Sequence, residues 1–128
     1  MVFVDTDVLI ECLRGSVTAR NWLQGAPKET FGIPGVVAME LLMGCRNQPD
    51  LQQTRKFLST FTVAWPEASE FAAAYELLAT HRLASGLGIP DCLIAAMALA
   101  RGVRLYTFNL KHFKIISGLD VQQPYPRT

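Results

Sequence analysis

Several absences narrow the chemistry open to this chain of 128 residues. No apolar run approaches the roughly 18–20 residues that a membrane-spanning helix requires. The N-terminal stretch carries an Asp pair where a secretory signal would be basic. A soluble, cytoplasmic protein with no membrane contact is expected. The three cysteines, Cys12, Cys45 and Cys92, lie far apart in apolar stretches. They form neither a disulfide framework nor the close Cys or His pairs of a zinc site, and read as small buried hydrophobes in a reducing compartment. There is no serine or cysteine nucleophile motif, phosphate-binding glycine loop or dinucleotide fingerprint. Arg14, Arg46, Arg55, Lys56, Arg82, Arg101 and Arg104 are scattered, so no basic tract is legible. Without repeats, low-complexity segments or linkers, residues 1–128 read as a single domain.

What is present favours a substantial core. Half the residues are hydrophobic, mean hydropathy is positive, and only 18% are charged. That composition argues against disorder and leaves apolar surface for a partner to cover.

The most informative stretch is Val2 to Glu11, where three strand-favouring residues run into Asp5 and Asp7 and a second apolar run follows at once. If the backbone stays extended through Asp7, the period of two points both carboxylates to one side. Alternatively, one of them caps the helix that follows.

That helix is predicted from about Asp7 to Arg14, with Thr6 or Asp7 as N-cap and Gly15 just past its end. Ser16 caps a second helix ending near Gly25, and Pro27-Lys28 marks a turn. A strand over Thr30 to Ile33, closed by Pro34-Gly35, leads to a helix from Val36 to Cys45. After Asn47-Gln48-Pro49-Asp50 comes a helix with Leu51, Thr54, Phe57, Leu58 and Phe61 on its apolar face, and then a strand over Thr62 to Trp65. A longer helix from Pro66 to Leu83 places Ala68, Phe71, Ala72, Tyr75, Leu78, Ala79 and Arg82 on one stripe. Pro90 starts an almost wholly apolar helix that Gly102 stops. A strand over Val103 to Thr107, a last short strand between Ile115 and Val121, and an irregular tail complete the chain. Alternating strands and helices imply right-handed crossovers and a parallel sheet covered on both faces, with sites at the strands' carboxyl ends. Asp5 and the segment Thr107 to Asn109 occupy two such ends.

Glu40 lies on a helix that is apolar on every side, so its charge is expected to be largely buried. It must then be neutral, paired with a distant base, or bound to a cation. Asp91 follows Pro90 in the first turn of a helix, where it can simply complement the helix dipole. The apolar helix start around it also predicts that it is buried. Thr107 and Asn109 can hydrogen-bond a turn. Lys111 and His112 read as solvated loop residues in preference to phosphate contacts, and His81 as a helix-end residue.

The chemistry therefore falls to carboxylates, which with water hold Mg²⁺ or Mn²⁺ and can promote displacement at phosphorus. With Asp5, Asp7, Glu40 and Asp91 in one cleft, twelve basic residues remain against seven acidic ones, a balance that suits a phosphodiester substrate.

Four segments then carry a resemblance. Val-Asp-Thr-Asp-Val-Leu-Ile-Glu at the start, Met-Glu-Leu-Leu-Met-Gly around Glu40, Pro-Asp-Cys-Leu-Ile-Ala-Ala at Asp91 and Thr-Phe-Asn-Leu-Lys-His-Phe at Thr107 resemble, in order, the four motifs of PIN-domain proteins. More narrowly, the chain resembles the VapC toxins of bacterial toxin–antitoxin pairs. The resemblance implies a three-layer α/β/α fold with a central parallel sheet and an Mg²⁺- or Mn²⁺-dependent endoribonuclease. It also implies a homodimer with a VapB-type antitoxin covering its active-site groove, DNA being reached only through that antitoxin. By position, Asp5 and Asp91 are implied metal ligands, Glu40 a ligand or the group orienting the attacking water, and Thr6 a supporting hydroxyl, with Thr107 in the last motif.

Two positions depart from the family pattern. Pro34-Gly35-Val36 replaces a segment that often carries a Ser, and Asn109 stands where many members have a fourth acid. An amide carbonyl can ligate but adds no charge, and Asp7 can compensate. A PIN-like RNA- or protein-binding module without activity is one alternative reading, supported by Asn109. A haloacid-dehalogenase-like phosphatase is another, opposed by Val8 and Leu9 where a Gly-Thr pair is usual.

Overall fold

The computed structural model describes residues 1–25 and 30–127. The turn expected at Pro27-Lys28 and the final tail residue, Thr128, lie outside the described residues. In chain order the elements are β1 (Val2–Val4), α1 (Thr6–Leu13), α2 (Val17–Gly25), β2 (Phe31–Pro34), α3 (Gly35–Met43) and α4 (Gln48–Leu58). They continue with β3 (Thr62–Ala64), α5 (Ala68–Ser85), α6 (Ile89–Arg101), β4 (Leu105–Tyr106), α7 (Leu110–Phe113) and β5 (Val121–Gln122). The strands form one sheet in the order β3-β2-β1-β4-β5. Every pairing is parallel.

Strand β1 is central because its residues suit burial on both faces. Val2, Phe3 and Val4 are at most 1% exposed, and Phe3 pairs with Gly32 on one side and Leu105 on the other. A parallel sheet needs helices on both faces, and α6 supplies much of that cover with Cys92 to Ala98 buried continuously. The architecture is a three-layer α/β/α domain with a central parallel sheet. Full burial of each large side chain in this core contributes about 1.5–3 kcal/mol.

Local signals fix the element ends. Asn47 Oδ1 accepts from Asp50 N at 2.9 Å to cap α4, whose Thr54 and Leu58 face the core as expected. Gly102 terminates α6 at φ 62°, a left-handed conformation that favours glycine, and turns the chain towards β4.

Several expectations are corrected. The backbone does not stay extended through Asp7, because α1 begins at Thr6 with Asp5 as its N-cap. Strand β4 is shorter than predicted, and an unforeseen turn of helix, α7, follows it. Strand β5 overlaps its predicted segment only at Val121. The stripe predicted for α5 mostly faces solvent, with Phe71 and Tyr75 exposed, and only Leu78 of it packs against the core. The inward positions are instead Glu70 and Ala74, since Glu70 finds a partner in Arg101 of α6 at 2.8 Å.

The tail lacks helix or strand after Gln122 but is pinned in place. Tyr125 Oη donates to Glu11 Oε2 at 2.8 Å, and its ring meets Phe108 edge-on at 5.1 Å. The Arg127 guanidinium lies 4.1 Å from the Phe108 ring centre.

Candidate active site

The carboxyl ends of β1 and β4 lie side by side, and this brings the first and last motifs together. Asp5 leaves β1 and immediately caps α1: its Oδ1 accepts from Thr6 N at 2.7 Å. Its Oδ2 accepts from the fully buried Thr107 hydroxyl at 2.9 Å. Asp7, in the first turn of α1, accepts from Phe108 N at 3.0 Å through Oδ2, which also lies 3.3 Å from Thr107 Oγ1. The two acids thus converge on Thr107 because the chain turns into a helix, the reverse of the extended geometry expected from sequence.

Only 9% of Asp5 is exposed. Burial above all, then the charges of Asp7 and Asp91, push its carboxyl from 3.8 up to about 7, against hydrogen bonds from Thr107 and Thr6 that favour the ionised form. Asp7 is raised as well, chiefly by burial, with Phe108 N, the Thr107 hydroxyl and the Arg127 charge opposing. Its Oδ1 is buried and has no hydrogen-bond partner among the described residues.

Glu40 enters from α3, where its Oε1 accepts from Thr6 Oγ1 at 2.9 Å. It is half-buried, less enclosed than its apolar helix predicted, because it faces a groove of about 520 Å³ lined also by Ile10, Arg14, Leu41 and Arg46. Asp91, in the first turn of α6, is likewise half-buried, with its side chain 29% exposed. Its Oδ2 accepts from Gly88 N at 3.2 Å, which gives it the helix-start role foreseen for it. Asn109 is exposed, and its side chain caps nothing, although its backbone N donates to Thr107 Oγ1 at 3.0 Å. No side chain with a hydroxyl enters at Gly35, where an added Cβ would lie 2.2 Å from the Trp65 ring.

Two contributors were missed in the sequence. His112 is half-buried beside Asp91, with Nε2 3.4 Å from Oδ2, and is not a solvated loop residue. The pairing of Leu110 with Phe113 three residues on was the available signal for the short helix that carries it. Arg127 is the other, and a tail of Gln, Pro and Tyr gives no sign of packing near Asp7.

Among the described residues, no three His, Cys, Asp or Glu side chains close into a ready-made metal cage. The donor set nevertheless fits a hard divalent cation. Its atoms are oxygens, and among the described residues no basic side chain offsets the Asp5 charge and the orphaned Asp7 oxygen lacks a proton donor. Mg²⁺ is commonly held by one or two carboxylates and several waters, so a three-sided cage is not required.

Comparison with known proteins bears on the family and the fold. The family model for the PIN domain matches residues 2–118. Ribonuclease VapC10 of Mycobacterium tuberculosis is 34% identical over 122 residues, covering 93% of this chain and 90% of that protein. Ribonuclease VapC1 of Rickettsia felis is 31% identical, over 94% and 93% of the two chains. Among solved structures, a toxin–antitoxin complex from Klebsiella pneumoniae superposes with a TM-score of 0.79 at 30% identity, covering 98% of each chain. VapBC2 from Rickettsia felis, bound to a DNA fragment from its promoter, gives 0.77 at 26% identity over 96% and 98% of the chains.

Proposed function

The chain belongs to the PIN-domain family, and from that premise we propose that it is the toxin of a VapBC-type pair, a divalent-cation-dependent endoribonuclease acting as a single domain. The observation that carries the proposal is the buried Asp5 carboxylate, held by Thr6 N at 2.7 Å and by the Thr107 hydroxyl at 2.9 Å, which Asp7 Oδ2 also approaches at 3.3 Å, with no basic side chain paired to Asp5 among the described residues. A cluster so arranged is costly unless a cation joins it.

Asp5 and Asp91 are the residues assigned to hold Mg²⁺ or Mn²⁺. Glu40 holds it too or orients the attacking water, and Asp7 adds charge beside Asp5. When bound, the cation supplies Lewis-acid stabilisation of charge at phosphorus and makes water nucleophilic at neutral pH. Thr6 fixes the Glu40 carboxylate through the 2.9 Å hydrogen bond, and Thr107 fixes Asp5 from the other side. Asn109, exposed and two residues from Thr107, offers an amide to the substrate or to the cation's water shell.

The partners follow the same reading. RNA is the substrate, and DNA is contacted only through the antitoxin. A VapB-type antitoxin segment occupies the groove beside Glu40, flanked by Arg14 and Arg46; the Klebsiella pneumoniae structure is a toxin–antitoxin complex and the Rickettsia felis one is VapBC2 on promoter DNA, which supports this reading. The exposed Trp65, Phe71 and Tyr75 supply apolar surface for a homodimer. No helix among the described residues is long and apolar enough to cross a membrane.

The test is incubation of purified protein, freed of antitoxin, with total cellular RNA and Mg²⁺ or Mn²⁺. Cleavage that stops on adding EDTA and is lost in Asp5→Asn is expected. Equal cleavage by wild type and Asp5→Asn sinks the mechanism, and no cleavage by wild type leaves the binding-module reading.

A further inference from the structure

His112 sits on α7, a single turn of helix whose place is set by the fully buried Phe113 beside it. Its Nε2 lies 3.4 Å from Asp91 Oδ2, within ion-pair distance but without forming a hydrogen bond. The same Nε2 is buried and has no hydrogen-bond partner among the described residues. Buried polar atoms are nearly always paired, so an unpaired imidazole nitrogen facing a carboxylate marks an arrangement completed by something further.

Two details define that arrangement. Both approaches to Asp91 fall on one oxygen: Gly88 N lies 3.2 Å from Oδ2 and His112 Nε2 lies 3.4 Å from it. The other oxygen, Oδ1, is left for a ligand. The tautomer is also constrained, because a bare nitrogen lone pair facing carboxylate lone pairs is repulsive, whereas Nε2–H is attractive. Lys111, the preceding residue, is exposed, and Phe113 points into the core. On this turn the imidazole is thus the group turned to Asp91.

Resting on the cation-site reading above, we infer that His112 is a positioning residue for Asp91. Its Nε2–H donates to Oδ2 and fixes the carboxylate rotation so that Oδ1 is presented to the divalent ion. Groups that orient a metal's ligands in this way shift ion affinity without touching the ion. If Asp91 were only a helix-start residue, it would have no need of the histidine, because the hydrogen bond from Gly88 N already serves that role.

The experiment is titration of the purified, EDTA-stripped full chain with Mn²⁺, reading free Mn²⁺ by electron paramagnetic resonance, with thermal unfolding in EDTA run in parallel. The variants are His112→Gln, whose amide nitrogen reaches the Nε2 position, His112→Asn, whose amide reaches only the Nδ1 position, and His112→Ala. Loss of roughly 10- to 100-fold in affinity is expected for Asn and Ala, with Gln staying within about threefold of wild type. Wild-type affinity in Asn and Ala, even with lowered thermal stability, makes His112 a packing residue and overturns the inference alone. Equal losses in all three variants overturn it too, since the donor would then not matter. Wild-type protein that binds no Mn²⁺, or binds it no better than Asp5→Asn, overturns the cation site together with the inference.

Discussion

Thr107 donates a 2.9 Å hydrogen bond to Asp5 across a sequence separation of 102 residues, inside a region that solvent barely reaches. The same hydroxyl accepts from Asn109 N at 3.0 Å, so one side chain links the first motif to the last. Thr107→Val keeps the shape and removes both links. Urea unfolding is expected to show a loss of about 1–3 kcal/mol, the usual cost of stranding buried partners. Removing a donor to the ionised form raises Asp5 further, so the cleavage optimum is expected to move to higher pH. Thr107→Ser should restore both properties.

The pH dependence of stability has a definite sign. Asp5 titrates near 7 in the metal-free fold against 3.8 ordinarily, so the folded chain keeps a proton that the unfolded chain has lost. The penalty is absent below about pH 4 and complete above about pH 7, and stability falls as pH rises through that window. In EDTA, unfolding free energy at pH 8 is expected to be lower than at pH 5 by roughly 2–3 kcal/mol from this group. Asp5→Asn should flatten that slope. Saturating Mg²⁺ or Mn²⁺ should remove or reverse it, because the ion binds the ionised form. Urea titrations at the two pH values, with EDTA or with ion, check all three outcomes.

Away from the site, the pair between Glu70 and Arg101 is bidentate at 2.8 and 2.9 Å, and Arg101 also donates to Trp65 O at 2.9 Å. Glu70 is 4% exposed, while the guanidinium retains some contact with water. Glu70→Gln is therefore expected to cost on the order of 1–3 kcal/mol, less than a fully buried pair. Cleavage per folded molecule should be unchanged. Denaturation and specific activity measured on one preparation separate the two effects.

Thr6→Val tests the other side of the cluster. The hydroxyl holds Glu40 Oε1 at 2.9 Å but is only half-buried. A drop of roughly 10- to 100-fold in kcat is expected, as for other residues that orient a ligand. The stability change should stay below about 1 kcal/mol. Recovery in Thr6→Ser, followed by steady-state cleavage of a defined RNA, distinguishes orientation from packing.

Legibility in the sequence followed the strength of local signals. The runs Val2 to Val4 and Cys92 to Ala98 announce the central strand and the buried helix because apolar continuity survives any tertiary context. Thr6, Asp7, Glu40 and Asp91 stand out as polar residues in apolar surroundings. How deeply they are buried was overestimated at Glu40, which lines a groove, and at Asp91, which sits in the first turn of its helix ahead of the buried run, and no helical period records either. On α5 the stripe of Phe71 and Tyr75 misled for a related reason: the inward position went to Glu70, whose partner lies 31 residues away. His112 and Arg127 were misread because short helices and tails owe their positions to contacts from elsewhere in the chain.

The placement of β1 between β2 and β4 also orders events during synthesis. Asp5 and Asp7 leave the ribosome about 100 residues ahead of Tyr106 O, Thr107 Oγ1 and Phe108 N, which hold them. Until β4 docks, the opening strand lacks one neighbour, and its acids have neither their buried setting nor their donors. During translation the acidic cluster therefore forms late, once β4 has emerged to pair with β1 and bring the donors to Asp5 and Asp7.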